Sequence, residues 1–180
     1  MNMDLNKLDK NNIQQKIDDY LKSISKMDIT ISANSVYDLL KMLKRNKIKK
    51  GPYPDVSLFE AANRIMTDLI ILFGVKELLK KRDYNGILTE FDCFNVQFGA
   101  ENISEFDIFA TNGKHNLKGE VFNVSPKFFQ SKKYSMLKKL RENKNENDIL
   151  ILVYNKDAVS ENYSPKKYEN EIHIPIDVEL

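Results

Sequence analysis

Cysteine, histidine, glycine and long apolar runs are all scarce in this chain, and each scarcity removes a class of function. The lone Cys93 excludes an intrachain disulfide framework and fits a reducing cytoplasm. Two histidines, His115 and His173, lack metal-ligand spacing, so both read as surface residues and no zinc site is expected. The six glycines build neither a phosphate-binding P-loop nor a dinucleotide fingerprint. The most apolar stretch, Leu69 to Val75, is far too short to span a bilayer, and the opening MNMDLNKLDKNN lacks the charged-then-apolar pattern of a signal peptide. No membrane partner is therefore expected. Nor is there an excess of one charge: 28 Lys and Arg against 26 Asp and Glu leave +2. Any nucleic-acid contact has to come from local clusters rather than a global basic field.

What remains is ordinary globular composition, 42% hydrophobic and 30% charged, without internal repeats. A length of 180 residues predicts a single domain with a genuine core. It divides into a helical N-terminal extension over 1–50, a core over 57–155 and a tail over 156–180. Ile13, Ile17, Leu21 and Ile24 predict a first amphipathic helix, and Val36, Leu39, Leu40 and Leu43 a second from Ser35 to about Asn46. Ser57 with Glu60 three residues on is a capping box, opening a helix from Leu58 to about Lys81. ILTEFDCFNVQF, EFDIFATN and LKGEVFNV then read as three strands, followed by a helix from about Ser131 to Asn143. DILILVYN has the continuous apolar character of a strand covered on both faces, and EIHIPIDVEL that of an edge strand. The fold class is α/β, a central mixed β-sheet flanked by helices in the order α-β-β-β-α-β, with a crossover joining the last two strands in parallel.

One segment asks a chemical question. EFDIFATNGKHNLKGEVFNV holds two apolar runs around the hairpin signal Asn112-Gly113, and each run carries an acid, Asp107 and Glu120. Buried charges need partners, so either these acids face water or a cation sits between them. Two carboxylates on adjacent strands can converge on one hard dication such as Mg²⁺. Glu105, Glu90 and Asp92 are alternative second ligands.

The element order with these acids resembles the core of the PD-(D/E)XK nuclease superfamily, best known from type II restriction endonucleases, over about Ser57 to Asn155. Phe106-Asp107 stands where the family has Pro-Asp, Glu120 stands for its (D/E), and Glu60 matches the additional helical carboxylate of many members. The resemblance implies a Mg²⁺ site at Asp107 and Glu120 and hydrolysis of DNA phosphodiesters. The family's lysine slot, two residues after the Glu, holds Phe122 instead. Lys118, Lys132 and Lys133 are the replacements within reach. Lys133 is the expected one, because it lies four residues before Leu137 and seven before Leu140 on the apolar stripe of its helix. Gln130 is expected beside it.

The resulting expectation is a Mg²⁺-dependent type II restriction endonuclease acting on double-stranded DNA as a cytoplasmic homodimer, with Asp107, Glu120, Lys133, Lys132 and Glu60 catalytic. Arg45, Lys47, Lys49 and Lys50 in KRNKIKKG are its candidate DNA-backbone contacts. The rival is a non-catalytic module of the same fold that binds nucleic acid or protein. A repair or phage-defence nuclease is a third reading.

Overall fold

The computed structural model describes residues 7–80, 90–99, 104–166, 168 and 170–178. Six strands form one mixed sheet in chain order: β1 (Lys7–Asp9), β2 (Cys93–Val96), β3 (Ile108–Thr111), β4 (Asn116–Phe122), β5 (Asp148–Asn155) and β6 (Glu171–Ile176). The pairs from β1 to β4 are antiparallel, and β4–β5 and β5–β6 are parallel. Helices α1 (Ile13–Ile24), α2 (Val36–Arg45) and α3 (Leu58–Leu79) precede β2, and α4 (Pro126–Glu142) joins β4 to β5. From α3 to β5 the observed order is α-β-β-β-α-β.

β5 shows why the sheet is covered on both sides. Its residues alternate between two apolar layers, with Ile149, Ile151 and Val153 packing with α1 and α3, and Leu150, Leu152 and Tyr154 packing with α4. Every residue of the strand is buried, which accounts for its unbroken apolar sequence. β4 splits the same way: Leu117 and Val121 join the α3 layer, while Phe122 joins the α4 layer. Lys118 and Glu120 therefore point to the α4 side with Phe122.

Local chemistry sets the element ends. Ser35 and Ser57 cap α2 and α3 by accepting from the amides of Asp38 and Glu60. The β3–β4 turn spans Asn112 to His115, with Asn112 Oδ1 accepting from the Lys114 and His115 amides and Gly113 at φ +85°. α4 starts at Pro126, five residues before the predicted Ser131, because proline suits the first helical turn and Ser125 supplies the cap position. A short N-terminal strand, β1, pairs with β2 inside the stretch expected to be a helical extension. The first predicted strand contracts to Cys93–Val96, and its start at residues 87–89 lies outside the described residues, as does Lys81 at the expected end of α3. α2 buries no residue completely and leaves Val36 and Leu40 exposed, so its apolar face is only partly used.

The interface between α3 and β5 is tight at Gly74, where an added Cβ lies 2.8 Å from Val153 Cγ1. Val153 is fully buried and β-branched, so it has no easy escape. Gly74→Ala is expected to cost about 1–3 kcal/mol in chemical unfolding, despite alanine's better helix propensity. Combined with Val153→Ala it should cost less than the two single changes added together.

Candidate active site

In the β3–β4 register Ile108 lies opposite Gly119, and one further step sets Asp107 across from Glu120. Asp107 sits just before β3 and its Oδ2 accepts from the Val121 amide at 2.8 Å, while its carbonyl accepts from Gln97. The carboxylate is thus held by backbone at the point where the ladder ends. Glu120, in the middle of β4, is only 3% exposed.

The two acids titrate abnormally, for a shared reason. Burial pushes Asp107 up, against the pull of the Val121 amide, Lys139 and Lys132. Burial and the neighbouring Asp107 raise Glu120 to about 7, with Lys139 and then Lys132 opposing. Lys139 Nζ pairs with Glu120 Oε1 at 2.7 Å. Lys132 and Lys139 are seven residues apart, two turns along one flank of α4, and both act on the acid pair.

The expected lysine lies on the other flank. Lys133 donates to the Tyr163 hydroxyl at 3.3 Å, with its ammonium over the rings of Phe129 and Tyr163. The structure corrects the expected helix phase by one residue. Aromatic faces and the tyrosine hydroxyl satisfy its half-buried charge without a carboxylate. Gln130 goes with Lys133 and lines a cavity on that side. Lys118 shares the face of Glu120 but is committed elsewhere, to Asp148 at 2.6 Å and the Asn143 carbonyl at 2.6 Å. Phe122, in the family's lysine slot, is packed between Phe129 and Tyr154, with ring centroids 5.9 and 5.8 Å away.

The remaining expected residues scatter. Glu60 is held by Arg64 at 2.5 Å on the first turns of α3. Glu90 contacts Asn112 and His115 at the hairpin turn, and Glu105 and Asp92 are exposed. Of the basic loop, Lys49 pairs with Asp55 and Lys50 with Asp28 at the surface, and Lys47 forms a backbone bridge to Ser57 next to Arg45, the last residue of α2. His173 departs from its surface reading: β6 turns it inward, where it is buried against Glu171 and Tyr154.

Two features went unread in the sequence. Lys139 could have been found from its seven-residue spacing to Lys132. Asp68 is fully buried on α3, accepting from Tyr20 at 2.5 Å, from Tyr53 and from the Gly99 amide at 3.0 Å. Its position three residues after Ile65 and four before Leu72 places an acid on the apolar stripe, which is the signal that marks it.

The donor set suits Mg²⁺. Asp107 and Glu120 offer hard oxygens from adjacent strands, and their mutual repulsion in a poorly hydrated setting is relieved by a cation. Among the described residues no third His, Cys, Asp or Glu joins them, and Mg²⁺ commonly takes only one or two protein carboxylates.

The pH dependence follows from Glu120. Its folded pKa is raised from 4.5 to about 7, so the folded chain binds more protons than the unfolded one across that window. Stability is full below the window and falls as pH rises through it, by on the order of 1–3 kcal/mol. In metal-free buffer, Glu120→Gln should flatten that part of the urea-midpoint profile; an unchanged slope would mean the acid is not desolvated.

No family model matches the chain, and no curated protein or solved structure does.

Proposed function

We propose that this chain is a Mg²⁺-dependent endonuclease that hydrolyses phosphodiester bonds of double-stranded DNA, of PD-(D/E)XK type, with the motif lysine supplied by α4. The observation that carries this reading is the cross-strand pair Asp107 and Glu120 with two α4 lysines acting on it. In this reading Asp107 and Glu120 hold the metal, which when bound supplies an activated water and a Lewis acid on the phosphate. The Val121 amide orients Asp107, so that its carboxylate is fixed before substrate arrives. Lys139, with Lys132 two turns earlier on the same flank of α4, provides the positive charge that stabilises the pentavalent transition state and positions the nucleophile. Phe122, buried at the heart of the α4 layer, explains why that charge comes from the helix: a lysine there would bury an ammonium among rings.

Restriction-type action as a homodimer is the specific form proposed, with the exposed Lys49 and Lys50 loop among the backbone contacts. The Lys139–Glu120 ion pair also supports the rival reading, a non-catalytic module of the same fold in which the pair is structural.

Plasmid cleavage separates the two. Supercoiled DNA should be cut with Mg²⁺ or Mn²⁺ and left intact in EDTA or with Ca²⁺, and discrete bands rather than a smear mark site-specific action. Asp107→Asn and Glu120→Gln should abolish cutting while leaving DNA binding largely intact. Lys139→Ala or Lys132→Ala should slow single-turnover cleavage by about a hundredfold or more at saturating DNA, the mark of a charge acting in the transition state. A loss confined to DNA affinity would assign these lysines to backbone contact instead, and intact DNA under every metal condition favours the binding module.

A further inference from the structure

A cavity lies away from the acid pair, on the opposite flank of α4. About 680 Å³ in volume and open to solvent on one side, it is lined by that flank, by the segment from Tyr163 to Lys166 with Tyr168, and by Glu171 and His173 of β6. A second cavity of about 330 Å³ adjoins it, sharing Tyr163, Pro165 and His173. We propose that the larger cavity is a binding site for a nucleoside phosphate, its base lying against the tyrosine rings and its phosphate meeting Lys133, Lys138 and Arg141.

Charge is the first argument. Four cations line the cavity against two carboxylates, with Glu142 paired to Lys138 and Glu171 to Arg141. Lys133 and Lys166 therefore leave the lining net positive, and it favours an anion although the whole chain is nearly neutral. Those cations alternate with rings: Lys133 lies over Tyr163, and Arg141 lies 5.0 Å over Tyr168. Cations interleaved with aromatics suit a ligand that is both planar and anionic. The volume falls within the range of small-ligand sites.

His173 gives the second argument. Its Nε2 lies 3.0 Å from Glu171 Oε1, and the other oxygen of Glu171 takes both Nε at 3.0 Å and Nη2 at 2.7 Å of Arg141. A carboxylate only accepts, so in the neutral ring the hydrogen sits on Nε2 and Nδ1 is an acceptor. That Nδ1 is buried and has no partner among the described residues. Buried polar atoms are rarely left unmatched. His173 lines both cavities, so its unmatched ring acceptor borders the proposed site.

The site stands independently of the acid pair and of the nuclease reading. Lys132 and Lys139 occupy one flank of α4, Lys133 and Arg141 the other.

Isothermal titration of the full chain in EDTA tests the proposal, with adenosine monophosphate, its parts adenosine and inorganic phosphate, and a short single-stranded oligodeoxynucleotide as probes. Adenosine monophosphate should bind at least about tenfold more tightly than either part. Lys133→Gln should weaken it by about tenfold. Tyr134→Ala should weaken it several-fold with no change in thermal unfolding, since Tyr134 lines the cavity yet is 72% exposed. If the oligonucleotide alone binds and both substitutions weaken it, the nucleotide is recognised within a strand rather than free. Binding of neither adenosine monophosphate nor the oligonucleotide, or binding indifferent to both substitutions, overturns the site.

Discussion

Two carboxylates held side by side with little water around them are the constraint from which the rest of this molecule follows. Asp107 and Glu120 repel each other, and burial raises the cost of charging either. Such an arrangement persists only when the backbone over-determines it. The Asn112–His115 turn sets the register, the Val121 amide grips Asp107, and β4 is fixed between β3 and the fully buried β5. What the pair lacks is positive charge, and α4 brings Lys139 to meet part of that need. A structural ion pair and a primed metal site both fit this description. They differ in whether a second, external cation completes the neutralisation.

α4 serves two surfaces at once. Its buried stripe of Phe129, Leu137 and Leu140 anchors it over the sheet. Lysines at consecutive positions then diverge, Lys132 toward the acids and Lys133 toward the cavity beside β6. The aromatic cluster beneath, from Phe122 through Phe129 and Tyr154 to Tyr163, is a rigid partition between the two. Phe122 belongs to that partition, so the position two residues after Glu120 on β4 is committed to packing.

Much of this was legible in the residues. The unbroken apolar run of β5, the Ser57 cap and the Asn112-Gly113 turn each carry a local signal strong enough to fix an element. The acids were found because a charge inside an apolar strand is conspicuous. The helix phase of α4 was not legible to one residue, because Lys133 does lie near the apolar stripe and only the tertiary placement of Tyr163 decides where its ammonium goes. The burial of His173 and the joining of Tyr20, Tyr53 and Gly99 on Asp68 depend on contacts between segments far apart in sequence. β1 was missed since three residues at a sheet edge carry no periodicity to read.

Whether the acid pair is completed by an external cation can be measured without any substrate. Titrating Mg²⁺ calorimetrically into the chain at about pH 7, in two buffers of different ionisation enthalpy, counts the protons released per ion bound. Because burial and Asp107 raise Glu120 toward neutrality, the account predicts one ion per chain with net proton release, and much weaker binding with less release in Glu120→Gln. Binding that releases no proton, or that is equally strong in Glu120→Gln, would contradict it.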